Sequence, residues 1–155
     1  MNSEKNEAKL SMKWYKFSAY FFLFFSALWY LGSGVKFFAQ NAYGVETEHL
    51  YKMFGALKTL DLFTGVLMAT LALFAIFTSI RLIKLKKDAI ASVIILYVVT
   101  IAVSVFYLVR INTALPYIYR GHANLSTYWM LIFASAFLII VNAVYFYKRK
   151  HLFVN

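Results

Sequence analysis

The chain has 155 residues, of which 63% are hydrophobic, 20% are aromatic and 14% are charged, and its formal net charge is +10. Soluble domains contain roughly 25% charged and about 45–50% apolar residues, so this composition is typical of a membrane protein. The chain has no cysteine, which excludes disulfides, thiolate nucleophiles and iron–sulfur ligation.

Four long runs without a charged residue follow one another along the chain. Each run is long enough for the ~20 residues that a bilayer-crossing helix needs. We therefore predict an all-α integral membrane protein, an antiparallel bundle of four transmembrane helices that forms a single domain over residues 1–155. The predicted spans are at about 14–37, 60–84, 89–110 and 127–148.

A weaker helical signal lies between the first and second spans. Leu50, Phe54 and Leu57 recur at the i, i+4, i+7 spacing of an amphipathic surface. We predict a short amphipathic helix at about 47–58 that lies on the outer leaflet or prolongs the second span. The loop before the fourth span contains the only proline, Pro116, and is predicted to be an ordered turn.

Small and polar residues predict where the spans pack. Because lipid tails are as apolar as leucine, transmembrane helices associate through close packing and hydrogen bonds. In the fourth span, Asn142 is expected to form a structural interhelical hydrogen bond in preference to a transport role. In the second span, a stripe of small residues at three- and four-residue steps is expected to face the bundle: Gly65, Ala69, Ala72, Ala75 and Ser79.

The distribution of Lys and Arg predicts the orientation. Eleven of the sixteen lie before the first uncharged run, between the second and third runs or after the fourth, and five lie between the first and second runs or between the third and fourth. By the positive-inside rule both termini are cytoplasmic, and the chain is a multi-pass protein of the cell membrane. Cations at the ends of the spans indicate anionic headgroups on the cytoplasmic side as partners, not nucleic acid. The candidate lipid contacts are Arg81, Lys84, Lys86, Lys87, Lys148, Arg149 and Lys150.

Lys58, Asp61 and Arg110 form a candidate polar cluster at the outer face. Asp61 is predicted in the first turn of the second span, where the helix dipole favours a carboxylate, and Arg110 in the last turn of the third, where it favours a cation. Two interpretations stay open. Either each charge simply suits its helix end, or a partly buried Asp61–Arg110 pair gates access to the bundle.

Residues that could support catalysis or hold a cofactor are sparse. Glu46, Glu48, His49 and His122 could supply ligands to a zinc-like ion, but their spacing matches no established metal motif. Glu48 and Lys52 are spaced as an ordinary i, i+4 surface pair. The sequence contains no HExxH motif, glycine-rich phosphate loop or GxSxG nucleophile elbow. We expect no enzymatic activity, no metal and no cofactor.

Three segments carry a resemblance to a known group of proteins: KWYKF at Lys13–Phe17, FGALKTLDLFTGVLMATLALFAIF at Phe54–Phe77, and the basic residues Arg81, Lys86 and Lys87. Over its first two spans the chain resembles the membrane portion of small four-helix proteins common in gut Firmicutes. Several of these carry an amino-terminal zinc ribbon before a similar KWYKF segment. The resemblance implies a bacterial inner-membrane location, whereas a chain without cysteine cannot hold the ribbon or use it to bind a partner.

Three functional hypotheses follow. The first is a non-enzymatic membrane protein that acts by helix packing with itself or with a membrane partner, in a structural, interaction or regulatory role. The alternative is a small oligomeric transporter or channel with Asp61 and Arg110 at its outer mouth and Asn142 deeper. An enzyme acting on lipid or quinone is the least favoured. The scarcity of ionisable residues within the spans favours the first hypothesis over the second.

Overall fold

A computed structural model describes residues 13–149 and 152–153, and within them it contains helices and no β-strand. Four of the helices are long and apolar enough to cross a membrane, which confirms the four predicted apolar helices. Short 3-10 turns lie in the two longer loops. The helices are α1 at Lys13–Phe38, α2 at Thr47–Met53, α3 at Gly55–Ile83, α4 at Ala89–Ala114 and α5 at Leu125–Tyr147.

The predicted boundary between the short helix and the second span is wrong. Helix α2 ends at Met53, and α3 already begins at Gly55. Phe54 separates them because its backbone is non-helical, with φ −127° and ψ 76°. Its ring packs against Tyr119 of the other loop, with 5.7 Å between the ring centroids. The break in the helical segment therefore coincides with a contact between the two loops.

The long helices pack in the order in which they occur in the chain. Helix α1 packs on α3, α3 on α4 and α4 on α5. We call the end of the bundle that holds the turn at residues 84–88 the terminal end, because α1 begins and α5 ends there. We call the opposite end, with the loops at residues 39–54 and 115–124, the loop end.

Helices α1 and α3 approach each other most closely at two glycines. A Cβ on Gly34 would lie 3.2 Å from the carbonyl oxygen of Gly65, so neither position has room for a larger side chain. Nearer the terminal end, the Ser79 hydroxyl donates a 2.5 Å hydrogen bond to the carbonyl of Ala19. Ala19 lies in a single π-helical turn, Ser18–Phe22. The predicted stripe faces the bundle, with Gly65, Ala72, Ala75 and Ser79 buried and Ala69 half-buried.

Side chains near the terminal end connect α1 to both α3 and α5. The Tyr15 hydroxyl donates a 3.0 Å hydrogen bond to the carbonyl of Leu82. The Trp14 indole N–H donates a 3.2 Å hydrogen bond to the Oδ1 atom of Asn142. Asn142 also donates to the carbonyl of Leu138 in its own helix, at 2.8 Å. The buried amide thus has partners for its oxygen and its nitrogen.

Candidate functional site

A carboxylate at the loop end is buried beneath two tyrosines. Asp61 is 0% exposed, and the Tyr51 hydroxyl donates a 2.8 Å hydrogen bond to its Oδ2 atom. The Tyr43 hydroxyl donates a 3.0 Å bond to its Oδ1 atom and lies 3.3 Å from the hydroxyl of Tyr107 on α4. Hydrogen bonds to a charged acceptor are roughly twice as strong as neutral ones. This tyrosine cluster, Tyr43, Tyr51, Asp61 and Tyr107, therefore fastens the first loop to α3 and α4.

The environment of the cluster keeps its loop tyrosines protonated. Burial raises the pKa of Tyr43 well above its usual 10.0, and the neighbouring Tyr107 and Asp61 raise it further. Burial and the charge of Asp61 likewise raise the pKa of Tyr51 above 10.0. Both phenols are consequently hydrogen-bond donors throughout the physiological pH range.

The predicted outer-face cluster is not assembled. Lys58 and Arg110 are exposed, and neither forms an ion pair with Asp61 among the residues described. The reason is the early start of α3 at Gly55, which places Asp61 in the second helical turn on the same buried face as Leu57. Of the two open interpretations, the Asp61–Arg110 pair is not formed, because tyrosine hydroxyls satisfy the carboxylate.

The acidic and histidine residues of the first loop do not converge on a metal site. Glu48 forms an exposed ion pair with Lys52 at 2.8 Å, and the hydrogen bond and charge of Lys52 lower the pKa of Glu48. Within the described part of the chain, no three His, Asp or Glu side chains are grouped closely enough to hold a metal ion. The side chain of His122 lies outside the described part.

The candidate lipid contacts lie at the terminal end, but two of them have protein partners. Arg81 forms an ion pair with Asp88 and lies 4.8 Å from the ring centroid of Phe77. Arg149 is buried, donates a 3.1 Å hydrogen bond to the carbonyl of Tyr145 and covers its ring. Its burial contradicts the prediction that it contacts headgroups, since its stem and head pack on α5. Lys84, Lys86, Lys87 and Lys148 are exposed, and Lys150 lies outside the described residues.

Helices α1 and α5 leave the bundle open between them. Helix α1 packs mainly on α3, and α5 packs mainly on α4. The two helices pack far less closely on each other. They meet near the terminal end, where Trp14 bonds to Asn142 and the Tyr15 backbone N–H donates a 3.2 Å bond to the Tyr145 hydroxyl. Toward the loop end, cavities of about 350 Å³ and about 280 Å³ separate them. We call the stretch that holds these two cavities, between residues 22–36 of α1 and residues 124–138 at the start of α5, the seam.

The upper cavity lies at the loop end and has polar side chains on both sides among apolar ones. On the α1 side it is lined by Ser33 and Lys36, and on the α5 side by Thr127 and Tyr128. Tyr107 of the tyrosine cluster also lines it and stacks on Tyr128, with 4.3 Å between ring centroids. The seam thus ends beside the buried carboxylate cluster without including Asp61.

The lower cavity lies deeper in the bundle and is almost entirely apolar. Trp29 lines both cavities, which makes them neighbours along α1. Its few residues with a hydroxyl are Ser26 and Tyr30 of α1, Tyr97 of α4 and Ser135 of α5. The apolar side chains that line it include Phe22, Phe25, Met130, Leu131 and Leu138.

Sequence reasoning missed the tyrosine cluster and the seam. Tyr43, Thr47 and Tyr51 are spaced four residues apart, which is the spacing of one face of a helix, although Tyr43 lies before α2 in the structure. That spacing, with Asp61 ten residues after Tyr51, is the signal that could have predicted the cluster. The seam has no such signal, because it depends on which helices pack on one another.

No protein-family model matches the chain, and no curated protein or solved structure matches it either. The resemblance of the first two spans to small Firmicutes membrane proteins stays a prediction. The tyrosine cluster and the seam are therefore the features of the chain that bear on its function.

Proposed function

We propose that this chain is a non-enzymatic integral membrane protein that acts by binding a partner within the bilayer along the seam. The observation that carries the proposal is the pair of adjoining cavities between α1 and α5. Ligand sites in helical bundles lie between helices, and most of their lining is apolar with a few placed polar groups. The two cavities combine these properties.

The packing of the small residues of α3 favours the seam over other surfaces as the place where a partner binds. Helices in lipid associate where small side chains allow close approach, but Gly65 and its neighbours are already packed against α1. The outward faces of α1 and α5 carry bulky side chains such as Phe21, Phe24, Phe133 and Phe137. A partner therefore finds close complementarity in the seam and not on these faces.

We propose further that the terminal end faces the cytoplasm of a bacterial cell and that the membrane is the inner membrane. The excess of Lys and Arg at that end supports this orientation. Val45→Cys and Ile118→Cys, both in exposed positions of the loop end, should react with a membrane-impermeant maleimide in intact cells. Lys86→Cys should react only after the cells are permeabilised. The opposite labelling pattern would reverse the orientation.

Photo-crosslinking in native membranes tests binding along the seam. A photoreactive amino acid at Met130, which lines the lower cavity, should give a discrete adduct, whether with a second copy, another protein or a retained lipid. The same residue at Leu73, an exposed position of α3 that lines neither cavity, should give none. Ala134→Trp, which fills the lower cavity, should remove the adduct at Met130. Identical patterns at Met130 and Leu73 would overturn the proposal.

A small transporter is the second candidate, and the burial of Asp61 favours it. Ionisable residues inside a membrane usually face a pathway or a partner. Arg110 does not contact Asp61, so the outer mouth of this alternative would consist of Asp61 and its tyrosines. Ion or drug flux in proteoliposomes that is lost in Asp61→Asn supports this candidate. Absence of flux in the wild type, or equal flux in Asp61→Asn, counts against it.

A further inference from the structure

We propose that the seam binds one anionic phospholipid, with its headgroup beside Lys36 in the upper cavity and an acyl chain in the lower cavity. This inference rests on the proposed function, because it names the partner that occupies the seam. Its support comes from the charge at the upper cavity, an unpaired hydroxyl, the depth of the seam and the closure of its far end.

Lys36 gives the upper cavity an uncompensated positive charge. It lies in the last turn of α1 and is exposed. The ion pairs of the described residues involve other cations, and no Asp or Glu lines either cavity. A lysine near the membrane surface attracts anionic lipid by about 1 kcal/mol. The ammonium group therefore favours a phosphate that carries a net negative charge over a zwitterionic headgroup.

A tyrosine hydroxyl in the upper cavity lacks a hydrogen-bond partner among the described residues. Tyr128 is 7% exposed, and its hydroxyl forms no hydrogen bond with the described part of the chain. The hydroxyl oxygen is not fully buried, so a ligand in the cavity can reach it. The phosphate and ester oxygens of a phospholipid are acceptors at this depth, and Thr127 supplies a further hydroxyl to the same cavity. A headgroup in the upper cavity would thus satisfy Tyr128.

The depth of the seam matches one lipid leaflet. Lys36 and Phe22 mark its two ends on α1, and fourteen residues of helix rise about 21 Å. Half of a bilayer with its headgroup regions is about 20–22 Å thick. The cavities of about 350 Å³ and about 280 Å³ together fall within the roughly 300–1,000 Å³ of small-molecule sites.

The closed end of the seam favours a lipid over a partner helix. Below the lower cavity, the bond from Trp14 to Asn142 and the bond from Tyr15 to Tyr145 connect α1 to α5. A transmembrane partner helix crosses about 30 Å of hydrocarbon and would extend past this closed end. A groove that is open over one leaflet only suits an acyl chain attached to a headgroup at the surface.

Lipid retention measured by native mass spectrometry tests the inference. The whole chain is reconstituted in vesicles of equal parts phosphatidylglycerol and phosphatidylcholine, extracted in detergent and delipidated in steps. We expect one phosphatidylglycerol per chain to remain after the other lipids are lost. Lys36→Gln should lower its retention about fivefold relative to phosphatidylcholine. The matched control Lys58→Gln, at an exposed lysine that lines neither cavity, should leave retention unchanged.

A second pair of variants tests the acyl-chain position. Ala134→Trp fills the lower cavity and should lower the retention of both lipids, whereas Ala143→Trp, also exposed on α5 but outside the cavities, should not. Equal phosphatidylglycerol retention in Lys36→Gln and Lys58→Gln overturns the inference, even if Ala134→Trp fails to fold. A discrete protein adduct at Met130 with no retained lipid would support the proposed function and contradict the lipid inference. Absence of any adduct at Met130 would contradict both the proposed function and the lipid inference.

Discussion

The Tyr43 hydroxyl donates a 3.0 Å hydrogen bond to the carboxylate of Asp61, eighteen residues further along the chain. This bond connects the loop after α1 to the buried face of α3, and the contact between Tyr43 and Tyr107 extends it to α4. A buried carboxylate without partners would be strongly unfavourable. The carboxylate therefore holds the loop over the bundle, and Tyr107 carries this constraint to the upper cavity of the seam.

Removal of either tyrosine hydroxyl should destabilise the fold. Tyr43→Phe and Tyr51→Phe each delete a hydrogen bond to a charged group, so each should lower the free energy of unfolding by about 1.5–3 kcal/mol. Unfolding by sodium dodecyl sulfate in mixed micelles measures this loss. Tyr117→Phe is the control, since Tyr117 is 86% exposed and lies at the same end of the bundle. Equal stability of all three variants would show that the cluster does not anchor the loop.

The stability of the protein should fall at alkaline pH partly because of the same tyrosines. Their pKa values lie above 10.0 in the folded protein, so folded and unfolded chains bind these protons equally below that pH. Above about pH 10 the unfolded chain releases protons that the folded chain retains, and the free energy of unfolding decreases. A double variant, Tyr43→Phe with Tyr51→Phe, should show a shallower decrease between pH 9 and 11. An unchanged slope would contradict the raised pKa values.

Two neighbouring glycines of α1 should respond differently to an added methyl group. In Gly34→Ala the new Cβ would lie 3.2 Å from the backbone oxygen of Gly65, so α1 and α3 must separate, whereas Gly32 has open space around its Cβ position. Gly34→Ala should therefore cost about 1–3 kcal/mol, and Gly32→Ala should be neutral or slightly stabilising. The unfolding midpoints of the two variants compare them directly. A cost at Gly32 as large as at Gly34 would refute this close contact.

The hydrogen bond from Trp14 to Asn142 should show measurable coupling. A double-mutant cycle with Trp14→Phe and Asn142→Leu isolates this pair, and interhelical hydrogen bonds in membranes average about 0.6 kcal/mol with a maximum near 1.7 kcal/mol. We expect a coupling energy in that range from the unfolding free energies of the four proteins. Strict additivity of the single substitutions would mean that the 3.2 Å contact contributes nothing to closing the seam.

Sequence reasoning succeeded where one residue property decides the structure. Long apolar runs predicted the four long helices, and the three- and four-residue steps of small residues predicted the face of α3 that packs inward. Both depend on local periodicity, which a single sequence displays. The helical positions of Gly65 and Ala72 follow from the same rule.

The candidate site was harder to predict because it depends on where α3 begins. A start near residue 60 placed Asp61 in the first turn, beside Arg110, but Phe54 leaves the helical conformation and α3 starts at Gly55. Such boundaries depend on tertiary contacts, here the packing of Phe54 on Tyr119. The seam results from the way three helix pairs pack, so no single segment contains it.

Oxygen and nickel-complex accessibility of a nitroxide along α5 tests the central claim most directly, and the absence of cysteine makes each introduced label unique. A helix that crosses lipid beside an open seam should give high oxygen and low nickel accessibility at Phe133 and Phe137, and equally at Ala134. Ser135 and Asn142, both buried, should be protected from both reagents. High nickel accessibility at Phe133 and Phe137 would place α5 in water. Protection of Ala134 like that of Ser135 would show that protein covers this position and that no open seam exists between α1 and α5.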